Sequence, residues 1–143
     1  LRVILDANVF ISGVFFGGLP YRILEGWRDG KVQLVLSHEI LEEYQRVGDT
    51  LVEQFPGVEL QPMLELVTMN AELFSDQVVL EPVCEDPDDD KFIACALASG
   101  CKVTGVAFTL NNFYFPFCQV APIRLCKLDP QFLSKNRRRP LKR

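Results

Sequence analysis

The sequence predicts an α/β protein built on a parallel sheet, and three observations carry that prediction. The run Arg2-Val3-Ile4-Leu5 is apolar with no polar alternation, as expected of a strand buried on both faces of a parallel sheet. Val32–Leu36 is a second strand. Around them, apolar residues recur at helical spacing, so strands and helices alternate along the chain. With 143 residues, 48% of them hydrophobic, the chain can bury one core. We therefore expect a single domain over residues 1–134, followed by a basic tail, 135–143.

The elements follow in order. Val9–Phe16 is apolar around Ser12 and Gly13 and reads as a short helix, closed by Gly17-Gly18-Leu19-Pro20. No Gly-Lys-Ser/Thr follows these glycines, which excludes a phosphate loop. Tyr21, Leu24 and Trp27 share a face in a helix over Pro20–Asp29, with Gly30 as its stop. Ser37 meets the requirements of an N-cap for a helix whose packed face carries Ile40, Leu41, Tyr44 and Val47. Glu43 shares a side with Ile40 and Val47 and is expected to point inward, whereas Glu39 and Glu42 are expected in solvent. Gly48–Gly57 reads as a polar connection, Leu60–Phe74 as a further packing helix and Val78–Leu80 as a brief third strand. Last comes Phe92–Ala98, a helix of small residues ending at Gly100.

Charge and cysteine content limit the function. Six of the fifteen basic residues, Arg137, Arg138 and Arg139 among them, lie in 135–143. Nine basic residues thus face nineteen acidic ones in the rest of the chain. An acidic body with a basic tail can hold nucleic acid through that tail. Five cysteines without a C-x-x-C and a single histidine, His38, do not make a zinc site, and buried reduced thiols are expected. No apolar run approaches the roughly 20 residues of a membrane span, and a cytoplasmic protein without a membrane partner is expected.

Two stretches carry the chemistry. Asp6, followed by Asn8, stands at the carboxyl end of the first strand, the edge where open α/β sheets bind ligands. Glu85-Asp86-Pro87-Asp88-Asp89-Asp90-Lys91 opens the last helix. Asp86 as N-cap and Pro87 in the first turn are ordinary helix-start chemistry, and acids there gain ~0.3–1 kcal/mol each from the helix dipole. Capping does not call for four aspartates, whose mutual repulsion is unfavourable without a cation. Asp90, spaced to share the side of Ile93, Ala94 and Leu97, most needs a partner. A calcium loop of the EF-hand kind fails, because Lys91 and Leu97 hold the places of its glycine and glutamate. Asp6, Glu43 and the aspartate cluster together are an oxygen-only donor set suited to Mg²⁺ or Mn²⁺. Such a site suits phosphodiester hydrolysis.

Val3-Ile4-Leu5-Asp6-Ala7-Asn8-Val9, Ser37 with Glu43 six residues on, and Asp86-Pro87-Asp88-Asp89-Asp90-Lys91-Phe92 before an alanine-rich helix together resemble the PIN domain, in particular the bacterial VapC-type toxins of toxin–antitoxin pairs. The resemblance spans Leu1 to about Gly100 and resumes at 123–133. It implies a three-layer α/β/α sandwich with a central parallel sheet, Rossmann-like in plan, and a Mg²⁺- or Mn²⁺-dependent endoribonuclease. By the same resemblance Asp6, Glu43 and Asp90 are the catalytic and metal-binding acids. Asn8 orients the first of them or a water, and Asp86 and Asp89 support through water. An RNA substrate, an antitoxin protein and a second copy of the chain are the implied partners.

The chain also departs from that pattern. Val106 stands after Thr104-Gly105 where the family places a fourth acid, and Ala107–Val120 is an aromatic run in place of a polar helix. Two alternatives follow: a catalytically degenerate PIN module that binds RNA or protein, and a phosphatase of the haloacid-dehalogenase type using Asp6 as nucleophile. The second is poorer, since Asn8 holds the place of that family's second acid.

Overall fold

The computed structural model describes residues 2–75, 84 and 86–101. Three parallel strands, β1 (Arg2–Val3), β2 (Gln33–Ser37) and β3 (Glu72–Phe74), are ordered β1-β2-β3, with Val3 opposite Leu34 and Leu36 opposite Leu73. The helices are α1 (Ala7–Phe16), α2 (Gly18–Arg28), α3 (His38–Val52), α4 (Leu60–Asn70) and α5 (Asp90–Ser99), and a 3₁₀ turn, Pro87–Asp89, leads into the last. Leu34, Val35 and Leu36 in β2 are all fully buried. Successive strand residues point to opposite faces, so both faces of the sheet are covered. The α/β layered architecture predicted from the sequence is therefore present.

The core gathers around the end of β1. Ile4, Leu5, Phe10, Ile11, Ile40 and Tyr44 are within 2% of complete burial. Tyr44 stacks flat on Phe10 at a centroid distance of 4.2 Å and donates its hydroxyl to the Leu5 carbonyl at 2.7 Å. α1 and α2 meet at 95°, through Gly17 and Gly18, both at positive φ. At the opposite end of the sheet Arg2 binds Glu72 and the Ser99 carbonyl, tying β1 to β3 and to α5. Among the described residues no single helix is long and apolar enough to cross a membrane.

Several boundaries differ from the sequence reading. α1 begins at Ala7, directly after Asp6, because Asp6 itself caps it. α3 runs through Gly48 to Val52, and the expected connection over Gly48–Gly57 is half helix. α4 stops at Asn70, so Glu72–Phe74, expected as the end of a helix, is instead the third parallel strand of this sheet. The strand expected at Val78–Leu80, the aromatic run, Val106 and the basic tail with Arg137, Arg138 and Arg139 lie outside the described residues.

Candidate active site

Asp6 is held in place by the backbone that follows it. Its φ and ψ of −61° and 147° end the extended segment, and its carboxylate accepts the Asn8 N–H at 2.7 Å. This is N-cap geometry. Its carbonyl accepts the Phe10 N–H at 3.0 Å, the first turn of α1. Asp6 is one of two buried polar residues among those described, at 8% exposure. Burial pushes its carboxyl above the ordinary value and the charge of Glu43 adds to this, while the N–H groups of Asn8 and Val9 and the Asn8 side chain pull the other way.

Glu43 arrives from α3. Ser37, the other buried polar residue, caps that helix by accepting the Ile40 N–H at 3.4 Å, which sets the helix phase and brings Glu43 and Tyr44 to the end of β1. Glu39 and Glu42 are exposed, and Glu42 pairs with His38 at 3.3 Å on the surface. Tyr44 lies beneath the site. Burial drives its phenol well above the usual range, with Asp6, Cys95 and Glu43 adding to the effect.

The third contribution comes from the turn before α5. Asp86 accepts the Asp88 N–H at 3.0 Å, and Pro87–Asp89 form one 3₁₀ turn. Asp89 feels Asp6, Asp86 and Glu43, which with burial as the leading cause raise its carboxyl above the ordinary range; Lys91 opposes them. Asp90 accepts the Cys84 backbone N–H at 2.9 Å. Asp88 is exposed. Lys91, in the first turn of α5, forms an ion pair and hydrogen bond with Glu43, each side chain only 16% exposed. Asp6 thus feels Glu43, Asp89 feels both of them and Asp86, Lys91 pairs with Glu43, and Asn8 bonds to Asp6. Asp90 sits at the same turn with one oxygen turned to the Cys84 backbone.

A model of the PIN domain matches residues 2–104, a span that holds every acid just described and stops two residues short of Val106. The chain belongs to the PIN-domain family. Neither a curated protein nor a solved structure matches it. The PIN domain is a nuclease-type fold that commonly works with divalent metals on RNA, so nuclease chemistry is the general expectation for this chain and the phosphatase alternative loses its ground. The donor chemistry of this PIN domain fits a hard cation: only oxygen ligands, from three separate elements, two of them carboxyls raised first by burial and then by neighbouring acids. The arrangement is nevertheless not a finished cage. Among the described residues no group of three or more His, Cys, Asp or Glu side chains is set to hold a metal ion. The Lys91 ammonium already occupies the Glu43 carboxylate.

Sequence reasoning gave no role to Lys91 or to Tyr44. A signal for Lys91 existed, as the one cation in a turn of four aspartates. Tyr44 was marked only as a core residue, and nothing in the pattern pointed to its hydroxyl.

Proposed function

We propose that this PIN domain is a Mg²⁺- or Mn²⁺-dependent endoribonuclease, the toxin of a toxin–antitoxin pair, acting in the cytoplasm as a homodimer. The observation that supports the nuclease reading is the buried Asp6 carboxyl at the end of a parallel strand, raised by burial and by the charge of Glu43, with Asp89 raised by burial and by the charges of both. Acids crowded there at a cost in charge repulsion need a cation to offset them. The toxin role, the antitoxin and the dimer are supported by the motif resemblance alone.

The proposed ligands are Asp6, Glu43 and Asp90, with Asn8, Asp86 and Asp89 in support. A divalent cation would supply Lewis acidity toward the phosphodiester and a water nucleophilic at neutral pH. The chain's own groups do the positioning. The α1 N–H groups fix the Asp6 carboxylate, and Tyr44 pins the Leu5 carbonyl just before it. Asn8, exposed at the mouth of the site, presents an amide beside Asp6 that can orient a water or a phosphate oxygen.

A labelled single-stranded RNA incubated with Mn²⁺, Mg²⁺ or EDTA tests the reading. Metal-dependent cleavage that falls by at least about a hundredfold in Asp6→Asn is expected, the scale of losing one essential catalytic group. Asp89→Asn and Asp90→Asn, run alongside, assign the third acid, and undiminished cleavage by Asp90→Asn would remove it from the ligand set. A second reading, a module that binds RNA or protein without cleaving, is favoured by Val106 and by the hold of Lys91 on Glu43. Metal-independent RNA binding without cleavage would select it.

A further inference from the structure

The acid site contains a cation of its own. Lys91 sits in the first turn of α5, where the positive end of the helix dipole opposes an ammonium. Glu43 holds it there: the Lys91 Nζ pairs with the Glu43 carboxylate at a place where both side chains are mostly withdrawn from water. Lys91 also opposes the upward shift of the Asp89 carboxyl, so its charge reaches more than one acid of the site.

We propose that Lys91 is a resident counter-ion of the site, which occupies Glu43 in the metal-free protein and must release it for a divalent cation to bind. Three features make the exchange physically reasonable. The lysine head is a compact, strongly hydrated charge on a flexible four-carbon stem, able to leave without moving its backbone. Both side chains keep some access to water, so the departing ammonium can be hydrated while an arriving cation takes over the Glu43 charge it leaves. Glu43 is engaged by Lys91, so a divalent cation that uses this carboxylate must displace the ammonium from it. Lys91 keeps the carboxylates compatible before metal arrives and sets the metal concentration at which they change partner.

This inference rests on the metal-dependent reading above, and the experiment separates the two. Mn²⁺ is titrated calorimetrically into the full chain, into Lys91→Met, Lys91→Gln and Lys91→Arg, and into Asp6→Asn. Each protein is also melted in EDTA and in Mn²⁺. With Lys91 the competitor, Lys91→Met and Lys91→Gln bind Mn²⁺ about tenfold more tightly than the original chain. They also gain more melting temperature from Mn²⁺ than the original does, while melting lower in EDTA. Lys91→Arg keeps the charge and gains no affinity. If the original chain binds Mn²⁺ and the neutral variants bind it equally or less well, Lys91 is not a competitor and the proposal falls while the metal site stands. If neither the original nor the neutral variants bind, or if Asp6→Asn binds like the original, the metal reading fails and takes this inference with it. Two neutral variants of different polarity ensure that a folding defect in one does not decide the matter.

Discussion

Asp6 is at once the cap of α1 and the most confined acid of the site, and the two roles make opposite demands. A cap is served equally well by Asn, whereas a cation needs the charge. Burial and Glu43 raise the folded-state pKa of Asp6 above its ordinary 3.8, so the folded protein holds that proton more tightly than the unfolded chain. Stability contributed by the protonated form is present below the ordinary carboxylate range and is lost as pH rises through the raised value. Asp89 acts in the same direction. In EDTA the melting temperature should therefore decline as pH climbs from about 4 toward neutrality, apart from other titrations. Asp6→Asn should flatten that decline and be more stable than the original at pH 7, by about 0.5–2 kcal/mol, the usual return from relieving a functional site. Thermal melts at pH 4 and pH 7 decide it, and an Asp6→Asn protein that melts lower than the original at pH 7 in EDTA would count against a strained acid site.

At the scale of elements, α1 is fitted between α2 and α3 through close contacts. A methyl group added at Gly13 would come within 2.8 Å of Leu24 Cδ1 and 3.0 Å of the Pro20 carbonyl carbon. Alanine is the better helix former by about 1 kcal/mol, so exposed helix interiors gain from this exchange. Here backbone blocks the space, and Gly13→Ala should instead destabilise the fold by about 1–3 kcal/mol of overpacking. Denaturant titration gives the sign. Gly48 shows the same relation from the other side and explains one misreading of the sequence. Its missing side chain looked like a helix end, yet a Cβ there would meet Leu60, so the glycine exists to let α4 lie against α3. β3 was hidden for a different reason: three residues are too few to show a period, and Phe74 falls on a helical spacing from Val67. What was legible was locally encoded: the Ser37 cap, the apolar run of β2, and the left-handed Gly100 that ends α5 at φ 66°. Asp6 and Glu43 followed from those anchors. The choice between Asp89 and Asp90 is not made by local pattern: helical spacing counted back from Ile93 favours Asp90, which accepts the Cys84 N–H, while Asp89 lies in the 3₁₀ turn and feels the charges of Asp6 and Glu43.

Across the whole molecule, charge and chain order set how the site can be used. Nineteen acidic residues against nine basic ones in 1–134 make the body repel RNA, so attraction must come from the six cations of 135–143. Deleting that tail should weaken single-stranded RNA binding and abolish most of its salt dependence, from a log–log slope of about −4 for six phosphate contacts toward zero. Fluorescence anisotropy at several salt concentrations measures the slope, and an unchanged slope would put the RNA contacts elsewhere. Arg2 meanwhile reaches partners 70 and 97 residues away, Glu72 and the Ser99 carbonyl. Contacts of such separation close late, since loop entropy is lost before they form. During synthesis at about 5–20 residues per second, Asp6 leaves the ribosome seconds before Asp89 and Lys91 and has no complete site to join. The Asp6 carboxylate thus waits for the turn before α5, and Arg2 ties β1 to β3 and to the end of α5 only when both are present.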